Sequence, residues 1–336
     1  MTITKRSRYQ ATLSGVLCGD SAGAPKEMAK SVDILADFKL RGGLTLYDYI
    51  EPFKNKRFVR AGHPTDDSEL TAALATSLVA VRGFNAHSVY YYLREFIHGN
   101  DESGRKSFLT DGKAYGSGGT LRSALREPTY QDSMRAFREG RVRIAPTNGA
   151  LMRSSGAALV SRKIGDIIEI ARQQSCITHI HPASQVACIV YSVVLAHLID
   201  GMSRADAWAA TRATTELLLR HDLETRDKVL VDAYREVLKL DVYSQPTDED
   251  IWPHVGDVTL SLRIALWGTL HATDFINGLT MVIGVGGDVD TYGAIAGGLL
   301  GAHYGVEGIP AHWLNTIIGR DKMMELADQL YDIAYS

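Results

Sequence analysis

The chain has 336 residues, of which 45% are hydrophobic and 22% are charged, as is ordinary for a globular protein with a hydrophobic core. Its formal net charge is −3, so no strong positive field exists to hold a nucleic acid, and we expect no such partner. The chain has only three cysteines and no C-x-x-C motif, so the sequence indicates neither a disulfide framework nor a structural zinc site. This cysteine usage favours a reducing compartment, so we expect a cytoplasmic protein.

Helical periodicity dominates the chain, and the first residues contain no apolar stretch typical of a signal peptide. Apolar residues recur at helical spacing in seven segments, which are residues 8–19, 67–83, 87–99, 149–163, 204–221, 226–240 and 321–334. Period-two alternation is scarce, so the sequence predicts an almost entirely α-helical protein. Since no Pro/Gly/Ser-rich linker divides it, we expect a single domain over residues 1–336.

The longest apolar segment covers residues 183–199. It is shorter than the roughly 20 residues that a membrane span needs and carries Gln185, Ser192 and His197, so we predict a buried core helix and no membrane association. Irregular structure is predicted for residues 40–64, 99–117 and 241–257, where surface loops are the default expectation.

Two segments place glycines on one helical face. A glycine recurs every fourth residue at Gly15, Gly19 and Gly23, and again at Gly293, Gly297 and Gly301. Residues with this spacing share a helix face, and each interior glycine costs about 1 kcal/mol relative to alanine. Glycine faces let two backbones approach closely, and the packing gained can offset this cost. We therefore predict that both segments form central, tightly packed helices, which could pack on each other. The alternative is a drift toward small residues without a packing role.

Three acidic segments accompany these glycines. They contain Asp20 and Glu27, then Thr65, Asp66 and Asp67, and finally Asp288, Asp290 and Thr291. Acids suit the positive N-terminal end of a helix, and Asp66 three residues before Glu69 resembles a capping pair, so capping alone explains one such segment. The second and third segments each place a threonine beside paired carboxylates, which is more oxygen ligands than helix capping requires. Such hard oxygen ligands select Mg²⁺, Mn²⁺ or Ca²⁺. If they converge, they could hold two cations about 3.5–4 Å apart.

Two other interpretations of the last acidic segment fit less well. Val289 occupies the last glycine position of a G-x-G-x-x-G dinucleotide motif, and no strand–helix–strand pattern surrounds it. The run D-V-D-T resembles the nucleophile motif of phosphoryl-transfer enzymes of the haloacid dehalogenase type. That motif ends a buried strand near the start of an α/β chain, whereas this run lies late in a helical one.

Five motifs in order along residues 10–306 resemble those of the ADP-ribosylglycohydrolase family. They are GVLCGDSAGAPKE, TDDSEL, PTNGALMRS, CITHIHPAS and GGDVDTYGAIAGGLLGAHYG. Each alone is a weak signal, but five in sequence identify the resemblance. It implies a compact, single-domain, all-α orthogonal helical bundle, with a cleft that holds two divalent cations, Mg²⁺ or Mn²⁺.

The resemblance also implies roles for individual residues. The implied metal ligands are Thr65, Asp66, Asp67, Asp288, Asp290 and Thr291. The implied catalytic carboxylates are Glu27 and Asp67. The implied substrate contacts are Ser117 and Gly118, in the segment from Tyr115 to Leu125, with Asn148, Gly149, Met152, Arg153 and His179.

Local physics leaves alternatives for three of these substrate contacts. The run NGALMR is predicted to open a helix, where Asn148 could simply cap the helix or the first backbone N–H groups could receive a ligand oxygen. Arg153 could reach a phosphate or form an internal ion pair. His179 rests on the resemblance alone, because a lone histidine is more often a satisfied core residue.

The implied activity is hydrolysis of the glycosidic bond between ADP-ribose and a protein side chain, with arginine-linked substrate favoured, through an oxocarbenium-like state. Bound metals would orient the ribose and lower the pKa of a water, while Glu27 or Asp67 moves a proton. We therefore expect a monomeric hydrolase with an ADP-ribosylated protein as partner and ADP-ribose as product. The alternatives are a catalytically inactive ADP-ribose-binding or structural relative of the same fold, and a hydrolase of a small ADP-ribosyl compound.

Overall fold

The computed structural model describes residues 3–50, 57–99, 106–110, 116–225 and 228–336. In these residues the chain forms 17 α-helices and one two-stranded sheet, which confirms the predicted all-α class. The helices are α1 (Lys5–Gly23), α2 (Ser31–Arg41), α3 (Asp66–Val81), α4 (Ala86–His98), α5 (Gly119–Ala124), α6 (Tyr130–Arg138), α7 (Ser155–Leu159), α8 (Ile164–Cys176), α9 (Pro182–Ile199), α10 (Arg204–Thr225), α11 (Val231–Leu238), α12 (Asp248–Ile251), α13 (Val258–His271), α14 (Phe275–Gly284), α15 (Val289–Tyr304), α16 (Ala311–Thr316) and α17 (Arg320–Ala334). The sheet pairs β1 (Tyr49–Ile50) antiparallel with β2 (Phe58–Val59).

Helices α1 and α15 pack on each other in antiparallel orientation at the centre of the molecule. A Cβ at Gly19 would overlap the carbonyl oxygen of Gly293, and a Cβ at Gly301 would overlap that of Ala11. The predicted packing of two glycine-faced helices is therefore confirmed, and each helix is the partner of the other. This pairing brings the C-terminal end of α1 next to the N-terminal end of α15.

Helix α9 is the long apolar helix, and it lies against α8, α10 and α15. Its length and composition alone would allow it to cross a membrane, but 83% of its 18 residues are buried inside the protein. Pro182 occupies its first turn, and Nδ1 of His181 accepts a hydrogen bond from the backbone N–H of Ala183 at 3.2 Å. The core-helix prediction is confirmed.

Helical structure differs from the sequence prediction at two places. The helix predicted over residues 149–163 is instead a 3₁₀ turn at Asn148–Ala150, a run of turns, and the short helix α7. In this segment the side chains of Asn148 and Arg153 make hydrogen bonds to distant parts of the chain. Segment 241–257 is less irregular than predicted, since a capping box between Thr247 and Asp250 starts α12.

Candidate active site

Three acidic segments of the chain meet at one end of the α1–α15 pair. Ligand atoms of Glu27, Asp288 and Asp290 all lie within 4.8 Å of one another. Asp67 lies at the start of α3. Burial, followed by the charges of neighbouring carboxylates that include Asp288, raises its carboxyl pKa, while the nearby hydroxyl of Thr291 lowers it. The segments around residues 27, 66 and 289 thus form one acidic cluster, although they are far apart in sequence.

Two glycines shape the turn that leads into α15. Gly286 and Gly287 have φ angles of 85° and 89°, a region that glycine adopts at little cost. The carbonyl of Gly287 accepts a hydrogen bond from the N–H of Met28 at 2.7 Å, and its N–H donates to the carbonyl of Ala29 at 3.1 Å. This backbone pairing holds Glu27 against the start of α15.

Asp20 fixes the start of α3. Its buried carboxylate accepts hydrogen bonds from the backbone N–H and the hydroxyl of Thr65 at 3.0 and 2.7 Å, and from the corresponding groups of Ser68 at 3.1 and 2.5 Å. Burial raises the pKa of Asp20, and these four donors oppose the rise. Asp20 has no predicted role of its own. Its position in the first acidic segment is the only signal, because its partners lie 45 and 48 residues later.

The acidic cluster is electrostatically unfavourable for a protein alone. Burial, followed by the charges of neighbouring carboxylates, raises the pKa values of Asp66, Asp67 and Asp290. Oδ1 of Asp67 is buried and has no hydrogen-bond partner among the described residues. A divalent cation would relieve both the repulsion and the unsatisfied oxygen, and carboxylate and hydroxyl oxygens are the ligands that hard cations prefer. The cluster therefore fits a metal ion.

Asn148 contacts the acidic cluster directly. Its Nδ2 donates to Oδ2 of Asp288 at 2.7 Å and to the hydroxyl of Ser261 at 3.0 Å. The N-cap residue of the 3₁₀ turn is Thr147 and not Asn148, so capping does not explain this residue. Asn148 instead orients the carboxylate of Asp288.

Arg153 lies in the interior, with a fully buried side chain. Its guanidinium donates to the carbonyl of Gly149 at 2.8 Å, to the carbonyl and side-chain oxygens of Gln174 at 3.0 and 3.1 Å, and to the hydroxyl of Thr178 at 2.8 Å. Burial lowers its pKa to about 10. No carboxylate pairs with Arg153 among the described residues, so its hydrogen bonds do not support the ion-pair alternative, while contact with a substrate phosphate stays a prediction. Arg153 acts on the site by holding Gly149.

His179 lies next to Gly149 and is also buried. A Cβ at Gly149 would lie 3.1 Å from Cε1 and Nε2 of His179. The hydroxyl of Thr178 accepts from Arg153 and lies 2.7 Å from Nδ1 of His179, and we assign the hydroxyl proton to the hydrogen bond with that nitrogen. Burial and then the charge of Arg153 lower the pKa of His179 well below its usual value. The imidazole is thus neutral, with its proton assigned to Nε2.

Of the remaining predicted substrate residues, Ser117 and Gly118 lie beside the acids. The preceding Gly116 packs so closely on Asp66 that a Cβ there would overlap Oδ1 of that carboxylate. The carbonyl and hydroxyl of Ser117 accept hydrogen bonds from Nη1 of Arg122 at 2.6 and 3.1 Å. Tyr115, the first residue of this predicted segment, lies outside the described residues.

Met152 and Glu69 line the interior side of α3. Met152 is buried, and its carbonyl accepts from Thr71 at 3.3 Å, so the structure gives it a packing position. Glu69 accepts hydrogen bonds from the hydroxyl of Ser107 at 2.5 Å and the N–H of Phe108 at 2.6 Å. Burial raises the pKa of Glu69 to about 7. Glu69, which the sequence pairs with Asp66 as a capping residue, therefore binds residues 107–108 to α3 instead.

Comparisons with known proteins agree with this geometry. The family model described as ADP-ribosylglycohydrolase matches residues 1–336. The chain is 24% identical over 332 residues to the ADP-ribosylarginine hydrolase Tri1 of Serratia proteamaculans, covering 97% of this chain and 80% of that protein. It is 26% identical over 309 residues to the ADP-ribosyl-(dinitrogen reductase) glycohydrolase of Rhodospirillum rubrum, covering 90% and 87%. A solved structure titled ADP-ribosylglycohydrolase-related protein complex has the same fold, with a TM-score of 0.72 at 23% identity over 98% of this chain and 99% of that one.

Proposed function

This chain belongs to the ADP-ribosylglycohydrolase family and is a hydrolase, and from that premise we propose that it removes ADP-ribose from a modified protein side chain. The observation that carries the proposal is the meeting of Glu27, Asp67, Asp288 and Asp290 in one acidic cluster. An arginine-linked substrate is favoured, because one of the relatives is named as an ADP-ribosylarginine hydrolase.

We propose that the cluster holds two divalent cations, Mg²⁺ or Mn²⁺. The residues that would hold them are Thr65, Asp66, Asp67, Asp288, Asp290 and Thr291. When bound, such ions supply positive charge to sugar oxygens and a water of lowered pKa. The repulsion among the buried carboxylates supports this assignment, since the fold retains charges that only a cation or protons would neutralise.

Glu27 and Asp67 have different roles in the proposed reaction. Water adds to the anomeric carbon of the ribose, the bond from that carbon to the guanidine nitrogen breaks, and the nitrogen leaves with a proton. Glu27 is half-buried whereas Asp67 is buried, so Glu27 is the carboxylate that water and the leaving group reach. We assign proton transfer to Glu27 and the holding of the cluster to Asp67.

Neutral groups beside the cluster suit the ribose and diphosphate. Asn148 and Gly149 lie between the acids and His179, whose assigned Nε2 proton makes it a donor. Ser117 and Gly118 directly follow Gly116, which packs on Asp66. We propose that these residues receive ADP-ribose, and that the protein acts as a monomer in the cytoplasm, where its three free cysteines stay reduced.

The proposal is tested by offering the protein arginine-, serine- and nucleobase-linked ADP-ribose with Mg²⁺ or Mn²⁺ and measuring the ADP-ribose released. We expect release from arginine-linked protein and none in excess chelator. Release in excess chelator would exclude the metal role. Cation binding without release from any substrate would identify an inactive relative, and release from a free ADP-ribosyl compound alone would identify a small-molecule hydrolase.

A further inference from the structure

Lys26 is a buried lysine directly before Glu27. Only 4% of its surface is exposed, and lysine is almost never buried unless its charge is paired. Its Nζ lies 3.2 Å from Oδ2 of Asp37 and donates a hydrogen bond to the phenolic oxygen of Tyr47 at 3.0 Å. It also lies over the ring of Tyr47, 4.5 Å from the centroid. The ammonium group is therefore held by three kinds of interaction.

The partners of Lys26 are themselves fixed. Oδ1 of Asp37, on α2, accepts a hydrogen bond from Nε of Arg41 at 2.7 Å. The guanidinium of Arg41 lies 3.5 Å from the centroid of the Tyr47 ring. Arg41 thus contacts both Asp37 and Tyr47, and these two residues together form the first anchor, which holds Lys26.

The backbone after Glu27 is held by a second anchor. In the linking segment, residues 26–30, Met28 donates to the carbonyl of Gly287, and Lys30 pairs with Gly286 as an isolated antiparallel bridge. Met28 has a φ of 61°, an uncommon conformation for a residue with a side chain, which persists when the surrounding structure holds it on both sides. Glu27 lies between the two anchors.

We propose that Lys26 is a positioning residue, which sets the carboxylate of Glu27 beside Asp288 and Asp290. The inference rests on the proposed function only in placing cations in the acidic cluster, where ligand atoms of Glu27 lie within 4.8 Å of those of Asp288 and Asp290. A lysine that merely stabilised the packing of α2 would affect unfolding, but its effect on cation binding would not depend on Glu27. Lys26 acts through Glu27, so its effect vanishes when the carboxylate is removed.

A double-mutant cycle on Mn²⁺ affinity, measured by calorimetry, separates these cases. The variants are Lys26→Met, which keeps the length of the side chain, Glu27→Gln, and the double variant. We expect each single change to weaken Mn²⁺ binding by about 10-fold and the double variant to be no weaker than Glu27→Gln alone. The inference would be overturned if the loss of Mn²⁺ affinity in the double variant were the product of the two single losses. It would also be overturned if either single variant bound Mn²⁺ as the wild type does.

Lys5→Met serves as the matched control. Lys5 pairs with Asp200 and lies 15 residues before Asp20 on α1, which places it about 22 Å from the acidic end of that helix. We expect its Mn²⁺ affinity to equal that of the wild type. If Lys26→Met does not fold, Tyr47→Phe can replace it, because it removes only the hydroxyl acceptor of Lys26. We expect a smaller loss of Mn²⁺ affinity, which disappears in the Glu27→Gln background. A loss that persists in that background contradicts the inference. Mn²⁺ binding without ADP-ribose release would refute the proposed function alone.

Discussion

Gly15 of α1 and Gly297 of α15 lie so close together that a Cβ on either residue would overlap the carbonyl oxygen of the other. The contact joins backbone to backbone, so no flexible side chain could move aside to make room. The same mutual contact recurs one turn away between Gly19 and Gly293, and in the other direction a Cβ at Gly301 would overlap the carbonyl oxygen of Ala11. Because Asp20 and Asp290 lie at the same end of this pair, the glycine faces determine how closely the acidic segments approach.

We predict that Gly297→Ala lowers the free energy of unfolding by about 3 kcal/mol, because the new methyl group overlaps the backbone of α1. The measurement is equilibrium unfolding in urea. Gly165→Ala is the control, since a Cβ at this exposed position of α8 meets nothing within 4 Å among the described residues. That change should be neutral or stabilising by up to about 1 kcal/mol. Equal stability of the two variants would refute the close approach.

The glycine faces and the acidic segments were accessible to sequence analysis for the same physical reason. Each is encoded in a short contiguous stretch, so its spacing alone predicts a shared helix face or a group of oxygen ligands. The role of Asp20 was not accessible, because its donors belong to Thr65 and Ser68 in another helix. The burial of Arg153 likewise depends on Gln174 and Thr178, whose positions only the tertiary packing defines.

Asp67→Asn should separate stability from cation binding. Asp67 is buried, its pKa is raised by burial and neighbouring charges, and its Oδ1 is unsatisfied among the described residues. Removing the charge therefore leaves the melting temperature without cations unchanged or higher. The stabilisation by saturating Mg²⁺, about 2.7 kcal/mol at 100 times Kd, is lost together with ADP-ribose release. The opposite result is a variant with a lower melting temperature without cations and the same stabilisation by Mg²⁺ as the wild type. That result would show that Asp67 stabilises the fold and does not bind the cation.

Cation stabilisation should depend on pH in a defined direction. The carboxyls of Asp67 and Asp290 have pKa values in the fold well above the usual 3.8, so the folded state keeps protons that the unfolded chain has released. Without cations, this contribution to stability is present at low pH and is lost as pH rises from the unfolded toward the folded pKa values. Cations bind the charged form, so the rise in Tm on adding Mg²⁺ should be larger near pH 8 than near pH 5. A rise that is the same or larger at the lower pH contradicts the assignment.

Asn148→Ala should weaken cation binding without removing a carboxylate. The change deletes the 2.7 Å hydrogen bond that orients Asp288, and we expect about a 10-fold loss of Mn²⁺ affinity. Ser261→Ala removes only the other partner of the amide, at 3.0 Å, and should bind Mn²⁺ nearly as the wild type does. Calorimetry on both variants measures the difference. Equal losses would mean that Asn148 acts through Ser261 and not through Asp288.

Two arginines near the site should respond in opposite ways to replacement by methionine. Arg153 is buried and supplies donors to Gly149, Gln174 and Thr178, so Arg153→Met leaves several buried oxygens without partners. We expect it to lower the free energy of unfolding by about 2 kcal/mol or more, measured in urea.

Arg122 is exposed and donates to Ser117 in the loop beside Asp66. Arg122→Met should change stability by no more than about 0.5 kcal/mol and raise KM for the ADP-ribosylated substrate, because the loop loses the hydrogen bonds that order it. If Arg153→Met instead unfolded as the wild type does and raised KM, the interior position of Arg153 would not describe the liganded enzyme, and its contact with the substrate would have to be direct.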